Sequence, residues 1–207
     1  IGALDARGVR RATIVGHSLG GGVAAWLAVH HPERVRAMIL AAPAANMAAV
    51  DRVDRLLAAP VAGAVTSGAA LTATGLALAA APLRRRIAVE LRLDERYLRA
   101  ASRRLLSRAA RRAFLSEQRA LFRDLPVLEE VLGRISAPTV IVAGSADRIV
   151  PLSASRALAA QIPGAELIVL PGAGHLLPHL HAQQLARIIG GTRAPMCSTA
   201  CRRRLAR

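Results

Sequence analysis

A glycine-flanked serine between an apolar run and a helical pattern restricts the folds open to this chain. Residues 12–16, ATIVG, are a short β-branched apolar run, and residues 18–35, SLGGGVAAWLAVHHPERV, are helical in pattern as far as Pro32. The chain must therefore turn sharply at Ser18, which predicts a strand, a tight turn and a helix. This is the beginning of a β-α-β unit in a parallel sheet. We expect Trp26 to lie in the buried core of the helix.

Further apolar runs alternate with helical patterns on both sides of a long middle segment. Residues 35–43, VRAMILAAP, are apolar except for Arg36, as expected for a strand buried on both faces of a sheet. After Pro138 the alternation returns, with the strand and loop TVIVAGSADRIVP, the helix SASRALAAQIPG, a strand at 166–170 and the helix HAQQLARIIGG. Strands alternating with helices in this way predict an α/β fold with a three-layer parallel sheet.

The middle segment, residues 44–135, lacks this alternation and is predicted to be a helical insertion. Residues 56–83 carry no charged side chain, whereas residues 84–123 are rich in arginine. In the second stretch arginines and leucines recur at helical spacing, which predicts an amphipathic helix. Its two faces consist of Arg92, Arg96, Arg99 and Arg103 and of Leu91, Leu98 and Leu105. We predict a partial α/β core in residues 1–43 and 136–191, a helical cap in residues 44–135, and a basic, disordered tail in residues 192–207.

The net charge of the chain is +16, with 29 Lys+Arg, all of them arginine, against 13 Asp+Glu. Arginine together with abundant alanine and glycine also follows from a GC-rich coding sequence, so the charge alone does not indicate an anionic partner. Aromatic residues make up 2% of the chain and no nucleic-acid-binding motif is present, which argues against a nucleic-acid partner. The arginine face is interpreted as solvated surface, with attraction to an anionic membrane surface or an acidic substrate as the alternative. Residues 56–83 are also long enough to span a bilayer, which is a further alternative.

The cysteines and the first residues bear on the cellular compartment. Cys197 and Cys201 are the only cysteines and lie close together in the basic tail. This arrangement favours free thiols over a disulfide framework or a metal site. The first residues, IGALDARGVRR, lack the long apolar stretch of a signal peptide, and we predict a cytoplasmic protein.

Residues 16–20, GHSLG, fit the nucleophile-elbow pattern G-x-S-x-G, in which a serine occupies a sharp strand-to-helix turn. We expect Gly16 and Gly20 to be required because the backbones on either side of Ser18 come too close for larger side chains. The strained turn projects the serine hydroxyl above the sheet. The N-terminus of the following helix favours negative charge, so the backbone N–H of Leu19 is the predicted oxyanion donor. His17 is predicted to contact a neighbouring loop rather than to act as a catalyst, and it is also a candidate substrate contact.

A serine hydroxyl needs a base near neutral pH, and the candidate base is His175, in the loop after the strand at 166–170. The competing histidines either close a helix or lie past that loop: His30, His31, His179 and His181. Asp147 follows the preceding strand and is the candidate carboxylate that orients His175. Two alternatives stay open, in which Asp147 caps the next helix or Asp51 is the acid. The order along the chain is then nucleophile, acid and base.

Three segments together resemble the α/β-hydrolase family: GHSLGGGVAAWLAVHHPERV, APTVIVAGSADRIVP and IPGAELIVLPGAGHLLP. They correspond to the elbow, acid-loop and histidine-loop segments of that family, and the resemblance covers most of residues 1–190 outside the middle segment. It implies Ser18 as nucleophile, Asp147 as acid and His175 as base, with no metal ion and no organic cofactor. It also implies that the insertion covers the nucleophile and that leucines of the insertion line an apolar substrate site. These leucines are Leu71, Leu76 and Leu78.

The activity implied by the resemblance is hydrolysis of small, largely apolar carboxylic esters through an acyl-enzyme on Ser18. The same triad serves C–C bond hydrolysis, thioester hydrolysis, acyl transfer and cofactor-free peroxidase chemistry in this family, and these alternatives stay open. A serine rather than an aspartate at position 18 is unlike the dehalogenases and epoxide hydrolases of the family.

The sequence also departs from the family pattern. Family members normally have several strands and helices before the elbow, including a loop that supplies a second oxyanion donor, whereas this sequence begins in what resembles the helix just before the elbow strand. We therefore expect the C-terminal part of a longer hydrolase, with an exposed edge at residues 12–16. We also expect little or no activity, because loss of one oxyanion donor typically costs about a hundred- to a thousandfold in rate. A non-catalytic binding module is the alternative.

Overall fold

The computed structural model describes residues 1–50 and 62–191. These residues form two compact units, here called the core unit (residues 1–50 and 125–191) and the helical unit (residues 62–124). Several sequence-based predictions lie outside the described residues: the alternative acid Asp51, part of the uncharged span, and the basic tail at 192–207 with Cys197 and Cys201.

Strands and helices alternate through the core unit, whereas the helical unit consists of consecutive helices. In chain order the elements are α1 (Gly2–Asp5), β1 (Ala12–His17), α2 (Leu19–His30), β2 (Val35–Ala41), α3 (Ala62–Ala79), α4 (Ala81–Leu91), α5 (Glu95–Leu106), α6 (Arg108–Val131), β3 (Thr139–Gly144), α7 (Leu152–Gln161), β4 (Glu166–Leu170), α8 (Leu177–Leu180) and α9 (Ala182–Gly191). Short 3₁₀ turns lie at Pro32–Arg34, Met47–Ala49 and Leu132–Arg134.

The described strands form one parallel sheet in the order β1-β2-β3-β4. The apolar run of β2 lies inside this sheet, where Met38, Ile39 and Leu40 are fully buried. A strand covered on both faces is mostly apolar because neither face is left to carry polar side chains, and the one charged residue of β2, Arg36, is exposed near its start. The predicted fold class, a parallel α/β sheet with an insertion of helices, is confirmed.

The parallel arrangement brings three loops to the same edge of the sheet. Gly16 of β1 pairs with Leu40 of β2, and Gly144 of β3 pairs with Leu170 of β4, so these strands end at similar heights. The loops that follow β1, β3 and β4 therefore leave the sheet on one side, as is general for ligand-binding loops of parallel sheets. The apolar cluster beneath the last loop joins the sheet to α8 and α9 and contains Ile39, Val142, Leu170, Leu177, Leu185 and Ile188.

Strand β1 lies at one edge of the described sheet, and apolar side chains near it are exposed. Val15 on β1 is 49% exposed, and Val23 and Trp26 on α2 are 63% and 36% exposed. The prediction that Trp26 lies in the helix core is therefore wrong, and its indole ring stacks on the His30 ring with centroids 4.4 Å apart. Small residues form the buried face of α2 instead, because they allow the helix to approach the sheet closely. These residues are Gly21, Gly22, Ala24, Ala25 and Ala28.

A polar network ties together the core-unit segments that flank the insertion. Asn46, which is 1% exposed, donates a hydrogen bond of 3.1 Å from Nδ2 to Gln161 Oε1 on α7. Gln161 Nε2 donates a bond of 2.7 Å to Glu129 Oε1 near the end of α6. The other oxygen of this carboxylate, Glu129 Oε2, accepts a bond of 3.1 Å from the backbone N–H of Met47. The chain is thus fixed shortly before it leaves the core unit and shortly after it returns.

In the helical unit, α3 packs closely on α5. A Cβ added at Gly75 would lie 2.9 Å from the Leu106 side chain, so a larger residue at this point would require Leu106 to shift. Beside it, Ser102 Oγ donates a hydrogen bond of 2.7 Å to Gly75 O. The buried apolar cluster of the unit consists of Leu78, Ala88 and Leu98.

The predicted amphipathic helix is interrupted within the arginine-rich stretch. Helix α4 ends at Leu91, and Arg92 adopts a left-handed conformation with φ 52°. Helix α5 then begins at Glu95, with Asp94 as the N-cap residue whose Oδ1 accepts a hydrogen bond of 2.6 Å from Arg96 N–H. The prediction that Arg92 shares one helix face with the later arginines is therefore wrong. Aspartate is a preferred N-cap residue, and Asp94 was the sequence signal for this break.

The described part of the uncharged span is divided between α3 and α4. Within residues 1–50 and 62–191, no single helix is both long enough and apolar enough to cross a membrane. Two neighbouring helical segments are long and apolar enough only when they are taken together, Val65–Ala79 of α3 and Ala81–Leu91 of α4. The two helices are bent by 95° at their junction.

Candidate active site

Ser18 occupies the turn between β1 and α2 in a strained backbone conformation. Its φ is 53° and its ψ is −123°, in a region that a residue with a Cβ adopts at a cost of about 1–3 kcal/mol. Three backbone hydrogen bonds hold the turn. Ser18 N–H donates to Ala41 O at 3.0 Å, and Ser18 O accepts from the N–H groups of Gly21 and Ala44 at 2.8 and 3.0 Å. The neighbouring strand and the start of α2 thus maintain the strain that the sequence motif predicted.

The glycines of the elbow differ in what they contribute. A Cβ at Gly16 would lie 2.3 Å from the backbone oxygen of Gly20, so this position requires glycine. A Cβ at Gly20 itself would meet no atom within 4 Å, and the predicted steric need for glycine there is wrong, because that Cβ position points away from the turn. The next two glycines, which were not predicted to matter, are tightly packed. A Cβ at Gly21 would lie 2.6 Å from Pro43 Cβ, and one at Gly22 would lie 2.6 Å from Ala44 O.

The structure brings together Ser18, His175 and Asp147. His175 Nε2 is 3.0 Å from Ser18 Oγ, and His175 Nδ1 is 2.9 Å from Asp147 Oδ2. The Asp147 side chain is 2% exposed and that of His175 is 15% exposed. Because a carboxylate only accepts hydrogen bonds, His175 Nδ1 carries the proton and Nε2 accepts from the serine hydroxyl. This arrangement can move the Ser18 proton onto His175 and stabilise the resulting imidazolium.

Asp147 is held in place by its second oxygen. Asp147 Oδ1 accepts hydrogen bonds of 2.8 and 2.9 Å from the backbone N–H groups of Ile149 and Val150. The following helix, α7, has Pro151 at its N-cap position and no side-chain cap. Asp147 therefore does not cap α7, because its carboxylate accepts hydrogen bonds from its own loop and from His175.

The competing histidines have other partners. His30 Nδ1 is 2.9 Å from Trp26 O, and His31 Nδ1 is 3.7 Å from Glu33 Oε1. His181 Nδ1 is 2.7 Å from Gln184 Oε1 on α9. Of the candidate bases, only His175 is hydrogen-bonded to Ser18 within the described part of the chain.

The loops that carry the acid and the base are fastened to each other. A Cβ at Gly144, the last residue of β3, would lie 2.2 Å from Ala173 O, so glycine is required where the two loops meet. Ala146 N–H donates a hydrogen bond of 2.9 Å to Ala173 O, and Gly172 N–H donates one of 2.8 Å to Ser145 Oγ. Sequence reasoning missed Gly144 and Ser145. A glycine directly after an apolar strand and before the candidate acid is the signal that could have identified the first of them.

His17 lies between the nucleophile and the loop of the base. Its Nε2 is 2.9 Å from His175 O, and the two imidazole rings have centroids 4.9 Å apart. Burial lowers the pKa of His17 below 6.5, and the nearby charges of His175 and His179 lower it further. The hydrogen bond to the His175 carbonyl and the charge of Asp147 raise the pKa but do not outweigh burial. His17 therefore stays neutral at neutral pH.

The remaining predicted residues have varied surroundings. Leu19 is the first residue of α2, where backbone N–H groups have no partner inside the helix. Leu71 lines a cavity of about 250 Å³ within the helical unit, together with Leu105 and Phe114. Leu78 is 7% exposed in the apolar cluster of that unit, and Leu76 is 58% exposed. Contact of these leucines with a substrate stays a prediction.

Within residues 1–50 and 62–191, no group of three or more His, Cys, Asp or Glu side chains is placed to hold a metal ion.

Comparisons with known proteins agree with this fold. The family model described as alpha/beta hydrolase fold matches residues 2–182. The 2-hydroxymuconate semialdehyde hydrolase of Pseudomonas putida is 34% identical over 197 residues, which cover 91% of this chain and 64% of that enzyme. The solved structure of a hydrolase from Pseudomonas aeruginosa PA01 superimposes with a TM-score of 0.66 at 28% identity, covering 94% of this chain and 69% of that one. The structure of Est816, an N-acyl homoserine lactone degrading enzyme, does so with a TM-score of 0.63 at 26% identity, covering 91% and 70%. The sequence thus spans about two thirds of each of these relatives, and the chain belongs to the α/β-hydrolase fold family.

Proposed function

We propose that the protein is a serine hydrolase in which Ser18 attacks a carbonyl carbon of a small substrate and His175, oriented by Asp147, transfers the protons. The observation that carries this proposal is the pair of connected hydrogen bonds, 3.0 Å from Ser18 Oγ to His175 Nε2 and 2.9 Å from His175 Nδ1 to Asp147 Oδ2. The strained backbone of Ser18 supports it, because strain of this kind persists mainly at functional sites.

For an ester substrate, Ser18 Oγ forms a bond to the carbonyl carbon while its proton moves to His175 Nε2. The bond between the carbonyl carbon and the alkoxy oxygen then breaks, and His175 gives its proton to the leaving alcohol. The acyl group is now bound to Ser18. Water attacks this acyl-enzyme with His175 as the base, and the carboxylic acid leaves when His175 returns the proton to Ser18 Oγ.

The surroundings of the triad suit these proton transfers. Asp147 is fixed by the N–H groups of Ile149 and Val150, so its charge remains beside the imidazolium that forms in each step. The oxygen that becomes negative in the tetrahedral intermediate would face the N-terminus of α2, where Leu19 N–H is the proposed donor. A single donor of this kind is worth about a hundred- to a thousandfold in rate.

Two substrate classes follow from this chemistry. Small, largely apolar carboxylic esters are the first, supported by the likeness to Est816, because a lactone is a cyclic ester. C–C bond hydrolysis is the second, supported by the higher identity, 34%, to the 2-hydroxymuconate semialdehyde hydrolase of Pseudomonas putida. Both reactions begin at a carbonyl carbon, so both use the same three residues.

A fluorophosphonate probe tests the nucleophile directly. Ser18 Oγ forms a bond to phosphorus, fluoride leaves, and His175 takes the serine proton. We expect the purified protein to be labelled and Ser18→Ala to remain unlabelled. Ser153→Ala, which changes an exposed serine of α7, is the matched control and keeps the labelling. If folded protein is not labelled, or is labelled equally in Ser18→Ala, the proposal fails, and a non-catalytic binding module becomes the better explanation.

Turnover distinguishes the substrate classes. Labelled protein is assayed with p-nitrophenyl acetate and butyrate, by release of nitrophenolate, and with 2-hydroxymuconate semialdehyde, by loss of its visible absorbance. Faster turnover of the esters supports the first class, and faster turnover of the semialdehyde supports the second. Labelling without turnover of either supports a catalytically impaired chain. We also propose a cytoplasmic location, which fractionation of the native cells tests.

A further inference from the structure

His17 joins the elbow strand to the histidine loop through a contact that the proposed mechanism does not use. It is the last residue of β1, and its Nε2 lies 2.9 Å from the backbone oxygen of His175. A carbonyl oxygen only accepts hydrogen bonds, so Nε2 is the ring nitrogen that carries the proton. The ring of His17 is also packed against the ring of His175, with centroids 4.9 Å apart and planes tilted by 46°. Both the tautomer of His17 and its orientation are thereby defined.

Hydrogen bonds join the loop of the base both to the acid loop and to the elbow. The acid loop and the histidine loop are joined by backbone and side-chain contacts of Ala146 and Ser145. The elbow strand is joined to the histidine loop by the Ser18–His175 bond of 3.0 Å and by the His17 bond of 2.9 Å. The first of these is disrupted in each reaction cycle, because Ser18 loses its proton and becomes acylated. The His17 bond goes to a main-chain atom and is unaffected by that chemistry.

The charge of His17 also matters for this role. His175 becomes a cation when it accepts the serine proton, and a second cation at the distance of His17 would oppose this step. Among the described residues, the titratable groups that act on His17 are His175, His179 and Asp147. Burial lowers the pKa of His17, so the hydrogen bond to the histidine loop comes from a neutral ring.

We propose that His17 is a positioning residue that keeps the His175 imidazole within proton-transfer distance of Ser18 throughout the reaction. This inference rests on the proposed serine-hydrolase function, since it assigns a purpose to the position of His175. It makes no use of a contact between His17 and the substrate. The predicted effect of losing His17 is therefore a lower rate of attack by Ser18 with little change in substrate binding.

Two substitutions separate hydrogen bonding from packing. His17→Leu removes the donor, whereas His17→Gln keeps an amide N–H that can reach the His175 carbonyl. We expect His17→Leu to slow fluorophosphonate labelling about 10- to 100-fold, because a displacement of about 1 Å has effects of this size. His17→Gln should label within about threefold of the unchanged protein. For His17→Leu, the KM for an ester should stay constant while kcat falls. His30→Leu, at the exposed end of α2, is the control and should have no effect.

A spectroscopic measurement keeps the inference testable even without activity. In protein containing ¹⁵N-labelled histidine, long-range ¹H–¹⁵N correlations should identify His17 as the Nε2–H tautomer and His175 as the Nδ1–H tautomer. His17→Leu should shift the Nε2 resonance of His175, which reports the bond to Ser18, and His17→Gln should leave it unchanged. Failure of the unchanged, folded protein to label refutes the serine-hydrolase function alone. Three results would refute the positioning role. His17→Leu could label as fast as the unchanged protein, or His17→Gln could lose as much labelling as His17→Leu. The third is an Nδ1–H tautomer of His17.

Discussion

Separate alanine substitutions at Gly16 and Gly20 distinguish the steric demands at the two ends of the elbow. A Cβ at residue 16 would lie 2.3 Å from Gly20 O and 2.8 Å from Gly21 Cα. Both are backbone atoms at the start of α2, so no side-chain rotation relieves the clash. A Cβ at residue 20 would meet no atom within 4 Å, although both glycines belong to the same sequence motif.

The expected magnitudes follow from these distances. To accept a Cβ at residue 16, the 2.3 Å contact has to open by about 1 Å, which displaces the helix start and Ser18 together. Over-packing of this kind lowers the free energy of unfolding by about 1–3 kcal/mol, and a displacement of about 1 Å near the nucleophile slows reaction about 100-fold. Gly20→Ala should leave the free energy of unfolding unchanged or raise it by about 0.5 kcal/mol, because alanine is the better helix former.

The assay pairs guanidinium unfolding with the kinetics of fluorophosphonate labelling. We expect Gly16→Ala to lower the unfolding midpoint and to label about 100-fold more slowly. Gly20→Ala should match the unchanged protein in both measurements. Equal damage from the two substitutions would refute the steric reasoning and would restore the expectation that both glycines are required. Unchanged stability and labelling in Gly16→Ala would show that the close approach at this turn is wrong.

Three further changes test the acid, the half-buried His17 and the polar network. Asp147→Asn should slow fluorophosphonate labelling by about 10⁴-fold, as this change does in a Ser-His-Asp triad, because an amide favours the wrong imidazole tautomer. Labelling kinetics measure this loss. A loss below tenfold would contradict the role of Asp147 as the acid. Because burial lowers the pKa of His17, the unfolded chain binds more protons as the pH falls below 6.5, so the free energy of unfolding should decrease there. Urea unfolding from pH 7.5 to 5 should show this decrease, and His17→Gln should reduce it; an identical slope in the variant would count against the shift. Glu129→Ala should lower the free energy of unfolding by about 1–3 kcal/mol, because Gln161 loses its hydrogen-bond acceptor. Glu130 is exposed, and Glu130→Ala, the control, should change the free energy of unfolding by less than about 0.5 kcal/mol.

Local patterns in the sequence were sufficient for the strands and for placing Ser18, Asp147 and His175 in loops that follow strands. The run at 35–43 is apolar except for Arg36, and a strand of that composition is typical of the interior of a parallel sheet. Parallel strands end at one edge, so a serine, an aspartate and a histidine that each follow such a strand lie along the same edge of the sheet. These predictions depend on neighbours along the chain and on the general geometry of parallel sheets. They needed no knowledge of side-chain packing.

Contacts between distant segments decided the remaining features. Gly16 and Gly20 are equivalent in the motif, but the Cβ direction at each is set by the turn, and only one of them faces backbone. Trp26 is a large apolar residue of the kind expected in a core. Helix α2, however, approaches the sheet through its small residues and leaves the indole exposed. His17 was one histidine among six in the sequence, and its bond to the His175 carbonyl joins residues 158 positions apart. A hydrogen bond over such a separation has no local signature, because it exists only when the sheet has placed the two loops side by side.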